Sequence, residues 1–343
     1  MPRTSSRLLG ALLAAAVLAT AACGSDPAPE ADAQGLVVYS GRNENLVKPL
    51  LEEFTKATGV PVTARYGGSA ELAAQLLEEG ERTPASVFLS QDAGALGALQ
   101  EADRLEVLPQ AQLDRVPERY RSAKGAWVGV SGRSRVLVYN RDLVTPASLP
   151  KSVFELTGPA YRGKVAYAPT NASFQAFVTG MRVSVGEERT KAFLTAFKAN
   201  GHKAYDGNIP IVAAVDSGQI AYGLVNHYYL YERAAEAGGL DALKARNHVF
   251  PGTDPGSLVN VAGVGVLKGK TDERATKLID YLLSTPGQTY FADRTKEYAL
   301  VAGVPSDLPG LPPLAQLEGP DVDLSELESL DETLALLDEV GLT

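Results

Sequence analysis

The chain has 343 residues, 45% of them apolar, a single cysteine and a formal charge of −9. That length is enough for two lobes of ordinary size, and the acidic balance disfavours nucleic acid and anionic lipid surfaces as partners. One cysteine excludes intrachain disulfides and Cys-based zinc or iron–sulfur centres, and no repeat at solenoid spacing is present.

The first residues read as a leader. Arg3 and Arg7 precede an apolar, alanine-rich run from Leu8 to Ala22 that is short for a membrane span. Thr20-Ala21-Ala22 supplies small residues directly before Cys23, and Gly24, Ser25, Asp26 and a Pro/Ala-rich stretch lead on to Gln34. The pattern looks like a bacterial lipobox. It predicts a signal peptide over 1–22, a lipidated Cys23 and a flexible tether to residue 35, placing the domain outside the cytoplasmic membrane. Loss of Arg3 and Arg7 with the leader takes the charge from −9 to −11.

Strand and helix then alternate. Leu36 to Ser40 is an apolar strand, and Leu46, Val47, Leu50, Leu51 and Phe54 recur at helical spacing. Pro49 fits that helix if it starts near Glu44 or Asn45 and keeps the proline in its first turn. Further strands are expected over Val60 to Tyr66 and Ala85 to Leu89, with helices over Ala70 to Glu79 and Ala93 to Ala102. Such alternation predicts a parallel sheet with helices on both faces. Trp127 to Tyr139 is a long extended run, expected to break at Ser131-Gly132-Arg133-Ser134 and long enough to cross between lobes. A second α/β set follows: strands Lys164 to Ala168, Lys203 to Tyr205 and Ile220 to Val225, with helices from Ser173 and Glu187 and over Ile209 to Ser217. Ser257 to Leu267 reads as the return crossing, followed by a helix over Asp272 to Leu283. Thr285-Pro286-Gly287-Gln288 and Ser325-x-x-Glu328 read as capping boxes, the second opening a helix with Leu327, Leu330, Leu334 and Leu337 as its buried stripe. Two α/β lobes joined by two extended crossings are thus expected: 36–135 with 260–305, and 136–259 with 306–343.

Within that scheme Asn226-His227-Tyr228-Tyr229 stands out. The tetrad ends a strand and opens a helix, with Asn226 as its expected cap, so two phenols face the crevice where open α/β sheets bind ligands. A phenol with pKa near ~10 becomes a phenolate at neutral pH only beside a strong cation. Ferric iron, hard and trivalent, is the candidate; packing in a chain with 14 tyrosines is the alternative. His202, His227 and His248 show no ligand spacing and read as structural. Gly-x-Ser-x-Gly and His-Glu-x-x-His are missing, and the one Gly-x-x-x-x-Gly-Lys match, Gly158 to Lys164, is followed by Val165 in place of the Ser or Thr of a phosphate loop, which leaves a secreted hydrolase or transferase as a remote reading.

Six motifs in order now carry a resemblance: Val38-Tyr39-Ser40-Gly41-Arg42, Tyr66-Gly67-Gly68, Pro84-Ala85-Ser86-Val87-Phe88, the run Gly132 to Asn140, Tyr167-Ala168-Pro169-Thr170-Asn171, and Asn226 to Tyr229. From Leu36 to the C-terminus the chain resembles the periplasmic ferric-binding proteins, solute receptors of iron ABC transporters. The resemblance implies a bilobal type II periplasmic-binding-protein fold and Fe(III) as transported ligand, with carbonate, citrate or phosphate as a synergistic anion. It implies an ABC permease and its ATPase as partners, a monomer, and no enzymatic role. Tyr228 and Tyr229 match the iron-binding pair, with Tyr39 as a third candidate ligand. Asn171, Ala172, Ser173, Asn208 and Asn226 match anion contacts. Arg135 on the crossing strand is either a counter-charge for that anion or a structural ion pair. Where the family places a histidine and a glutamate from the first lobe, this chain has the neutral Asn43 and Gln91. Asp92, Glu44 or Tyr39 are candidates to replace them, or a bidentate anion fills the positions. A receptor for an anionic organic solute or a preformed ferric chelate is the alternative within the same fold.

Overall fold

The computed structural model describes residues 35–342 with the exception of Asp307. Cys23 and the expected leader and tether therefore lie outside the described residues. Among those described, no helix is long and apolar enough to cross a membrane.

The first lobe grows from three βα units. Strands β1 (Leu36–Ser40), β2 (Val62–Tyr66) and β3 (Val87–Ser90) pair in parallel with β1 central, and β1 is buried along its whole length. Helix α1 (Glu44–Thr58) buries Val47, Leu50, Leu51 and Phe54, the stripe expected from their spacing. Pro49 lies deeper than its first turn, so α1 forgoes the bond to the Asn45 carbonyl; the residue is exposed, which leaves that carbonyl to solvent. Helices α2 (Ser69–Glu79) and α3 (Ala93–Glu101) complete the units, and the single turn α4 (Gln110–Leu113) leads to the long strand β4 (Val128–Asn140).

The second lobe follows as β5 (Val165–Tyr167), α5 (Ala172–Val185), α6 (Glu187–Ala199), β6 (Lys203–Ala204), α7 (Asn208–Asp216), β7 (Tyr222–Asn226), α8 (Tyr228–Ala237) and β8 (Ala245–His248). The chain returns through β9 (Val259–Val266), α9 (Glu273–Leu282), α10 (Thr285–Tyr290) and β10 (Tyr298–Ala299), and ends in α11 (Leu330–Glu339).

Strand β4 belongs to both lobes. The expected break at Ser131 to Ser134 is not there; a bulge between Gly129 and Ser131 bends the strand instead. Up to Ser134, opposite Val259, it pairs antiparallel with β9, which in turn pairs antiparallel with β3. From Arg135, opposite Asn226, it pairs with β7 and then also with β8. The sheet is therefore mixed, with parallel pairs confined to β1–β2, β1–β3, β5–β6 and β5–β7. In the second lobe Leu137 faces one core and Val136 and Val138 the other, which explains why this half of β4 is a continuous apolar run.

Two expected caps are corrected. Ser284, not Thr285, caps α10, its Oγ accepting from the Gly287 N–H. Gln288 is fully buried: its amide donates to the carbonyls of Val130 and Leu282 and accepts from the N–H groups of Leu300 and Val301. Likewise Ser325 caps nothing. Asp323 caps a 3-10 turn over Leu324–Glu328, and the helix proper begins after Ser329.

The chain end is also divided, not assigned whole to the second lobe. Leu308, Leu317, Leu324 and Leu327 pack into the first-lobe core, and Leu336, Leu337 and Leu342 into the second. Ser325 accepts from the indole N–H of Trp127, and Arg182 of α5 donates to Ser329. This third passage between lobes lies on α3 because Gly94 and Gly97 let it approach: a Cβ on Gly97 would meet the Ser325 carbonyl. Gly97→Ala gains about 1 kcal/mol of helix propensity and loses about 1–3 kcal/mol to overpacking against backbone. Net destabilisation is expected, seen as a lower urea midpoint at unchanged slope.

Candidate metal and anion site

Where β4 changes partner, the lobes enclose a cavity of about 170 Å³. Gln91, Asp92, Arg133 and Asn260 approach it from the first lobe. The second contributes the Asn171-Ala172-Ser173 turn, Arg135, Asn226 and both tyrosines.

The tyrosines sit at the start of α8, their ring centroids 4.2 Å apart and the planes inclined at 32°. Tyr228 is buried and Tyr229 half-buried. Burial, reinforced by the neighbouring Tyr229 phenol, raises the Tyr228 pKa well above 10, so without a cation it is a neutral phenol. His227 is fully buried and fixes the motif from behind. Its Nδ1 accepts the Ser134 N–H at 3.0 Å and its Nε2–H donates to the Lys296 carbonyl at 2.9 Å. Burial lowers its pKa to about 4, which keeps the ring neutral and committed to backbone. His202 and His248 bond to the carbonyls of Leu156 and Pro150 in the same way. All three histidines are structural. Among the described residues no group of three His, Cys, Asp or Glu side chains stands ready to hold a metal, and the cavity offers the two phenols and the Asp92 carboxylate as ionisable oxygen donors.

Beside them α5 opens. Asn171 caps the helix, its Oδ1 accepting from the Ser173 N–H at 3.0 Å and the Ser173 Oγ–H at 2.7 Å. The Ala172 N–H has no partner among the described residues, and with the helix dipole it gives this corner an affinity for anions. Asn208, expected as a direct anion contact, stands behind the turn. Its Nδ2 donates to Asn171 Oδ1 and Ser173 Oγ, and it does not line the cavity. Asn226 is not the side-chain cap of α8; its Oδ1 faces Arg135 Nη1 at 3.4 Å.

Among the described residues Arg135 has no ion-pair partner; its hydrogen bonds go to neutral groups. It is buried over the rings of Phe174 and Phe177, with Nη1 donating to Ser173 Oγ and Nη2 to the Leu224 carbonyl. Burial draws its pKa down to about 9, opposed only by the two phenols. Its bonds tie the anion turn to the strand that carries the tyrosines.

The first-lobe candidates separate. Gln91 and Asp92 reach the cavity. Asp92 also caps α3 by accepting the Ala95 N–H, and burial raises its pKa against the pull of that bond and of Arg133. The other three are not brought there. Tyr39 is fully buried and donates its hydroxyl to Glu79 at 3.1 Å, because alternation along β1 turns it toward α2. Asn43 is an exposed cap of α1, and Glu44 pairs with Lys48 on the surface. Arg133, not singled out from the sequence, does line the cavity; the signal available was its i, i+2 spacing from Arg135 on one strand.

A family model of bacterial extracellular solute-binding proteins matches residues 82–325. The chain belongs to that family. It is 38% identical over 311 residues to an Fe(3+)-binding periplasmic protein of Serratia marcescens, covering 90% of this chain and 91% of the relative. A major ferric iron-binding protein of Neisseria meningitidis is 33% identical over 338 residues, covering 97% and 98%. Among solved structures, iron-bound HitA of Pseudomonas aeruginosa superposes with a TM-score of 0.79 at 32% identity, covering 90% of this chain and 99% of that one. A Trichodesmium protein in complex with iron and citrate superposes at 0.78 and 28% identity, covering 90% and 100%. The bilobal type II fold expected from the sequence is the fold of this family.

Proposed function

We propose that this protein captures ferric iron with a small anion between its lobes and delivers both to an ABC permease driven by its ATPase. The observation that carries the reading is the juxtaposition of the Tyr228–Tyr229 pair with the α5 turn in one cavity. Two phenolates offset part of a +3 charge, and a helix N-terminus holds the anion that completes the shell. A binding role, not catalysis, fits a cavity whose polar groups are mostly engaged in holding one another. Cys23 would carry a lipid anchor outside the cytoplasmic membrane, and the domain would work as a monomer whose lobes turn about Ser134/Arg135 and Leu258/Val259.

The test is iron affinity in carbonate-free buffer against buffer with bicarbonate, citrate or phosphate. Tight binding with an added anion, accompanied by a visible phenolate-to-metal band, is expected, and weak binding without one. Gln91→Glu should reduce that anion dependence by restoring a first-lobe charge. A colourless protein that rejects iron with every anion would overturn the reading; equal affinity in all buffers would place the whole shell on the protein, with Asp92 as its first-lobe donor.

A further inference from the structure

His227 joins three segments. Its main chain belongs to the second lobe: the N–H donates to the Ser134 carbonyl at 3.0 Å, one step beyond the β4–β7 ladder, and the carbonyl accepts from the Asn247 amide of β8 at 2.9 Å. The ring leaves that lobe. Nδ1 accepts the Ser134 N–H in place of the backbone carbonyl that the helical turn has carried away, and Nε2–H donates to the Lys296 carbonyl of the first lobe. Tyr298, also of the first lobe, lies 4.8 Å from the ring, and Tyr228 meets it edge-on at 5.9 Å and 89°. The first-lobe acceptor is held in an unusual way. Lys296 follows a π turn over Phe291–Thr295 and, with Asp103, is one of two non-glycine residues of those described with a positive φ, here 56°. A left-handed lysine is unfavourable and persists only where its surroundings over-determine it. The next residue, buried Glu297, supplies that constraint by accepting two bonds from Arg42 and one from Ser131. A turn of the lobes about Ser134/Arg135 leaves the Ser134 end of the ring in place and sweeps the Lys296 carbonyl along an arc. Both ring bonds therefore hold together at one lobe angle.

Building on the proposed capture of iron between the lobes, we infer that His227 is a positioning residue that couples the lobe angle to the seat of the Tyr228 phenol. With the ring bonded to both Ser134 and Lys296, the adjoining phenol is held at the metal. Opening of the lobes breaks the Lys296 bond, frees the ring and lets the phenol leave the iron. The imidazole itself touches neither metal nor anion. Asparagine and glutamine separate its two bonds. The Asn amide reaches about as far as Nδ1 and the Gln amide about as far as Nε2. His227→Asn therefore keeps the Ser134 bond and loses Lys296, while His227→Gln does the reverse.

Two measurements on wild type and both variants decide it, with circular dichroism and urea midpoints as controls for folding. Small-angle scattering of the iron-free protein reads the lobe angle with no metal present. Iron loss to a chelator and the wavelength of the phenolate-to-metal band read the phenol in the loaded protein. His227→Asn should show a larger radius of gyration, a shifted band and iron loss about 10- to 100-fold faster than wild type, the scale of one buried hydrogen bond. His227→Gln should stay near wild type in all three. Each variant gives up one buried bond, so an imidazole that merely fills space would make the two alike. Equal iron loss from both variants would overturn the inference, as would an iron-free His227→Asn protein no more open than wild type. Should His227→Asn not fold, Lys296→Pro takes its part, since proline cannot adopt the positive φ and the acceptor carbonyl moves while the ring stays. If wild type takes up no iron, the proposed function falls, while the scattering of the iron-free proteins still judges His227.

Discussion

Tyr228→Phe is expected to weaken ferric iron retention by roughly two to four orders of magnitude, the scale of removing one partner from a buried charge contact. The ring stays and only the oxygen goes. Tyr228 is buried against Tyr229 and His227, so the phenyl ring fills its place and leaves little room for water to substitute as ligand. Tyr229→Phe should cost less, because that ring is half-buried and solvent reaches its side of the site. Neither change should alter the free energy of unfolding by more than about 0.5 kcal/mol, since no core contact is lost. Iron transfer to a competing chelator and the intensity of the visible band measure the effect. A Tyr228→Phe protein that retains iron and colour like wild type would remove the phenol from the metal shell and with it the basis of the assignment.

The sequence made this pair legible because its signal is local. A strand of apolar residues, two phenols and a helix start occupy consecutive positions, and the strand's direction decides where the phenols point. Most element spans were readable for the same reason, since periodicity and caps are short-range properties. What it hid depends on long-range packing. Tyr39 sits in the first of the motifs that carry the resemblance, yet Glu79, forty residues away, takes its hydroxyl. Gln288 looked like half of a capping box, but the Val130 carbonyl and the Leu300 N–H claim its amide from two other segments. The division of the chain end between lobes follows from two glycines on α3, whose meaning appears only when the Ser325 and Leu327 carbonyls lie against them. Arg133 was missed because a charged residue on a crossing strand is unremarkable until its neighbour Glu297 is seen to be taken by Arg42.

Acidification is expected to release iron steeply, and the slope counts the phenolates. In the iron-free protein Tyr228 has its pKa raised above the ordinary value near ~10 by burial, so around pH 7 it carries its proton and gives it up when iron binds. Below the phenol pKa each phenolate ligand releases one proton, and affinity falls about tenfold per pH unit for each. Two ligands give roughly a hundredfold loss per unit between about pH 8 and pH 6, and Tyr229→Phe should halve the logarithmic slope. Other groups do not account for that slope. His227, held near 4 by burial, stays neutral throughout that range, and Arg135, lowered to about 9, stays charged. For the iron-free fold the sign is reversed at the other end: a raised phenol pKa contributes stability that is present below ~10 and lost as pH rises through the folded value. Competition against a chelator of known proton affinities, in a fixed concentration of phosphate corrected for its own ionisation, gives the slope. A slope of two in wild type and one in either single variant is the expected result. A flat profile would mean that iron is held without phenolates, and the metal would have to be placed on Asp92 and the anion alone.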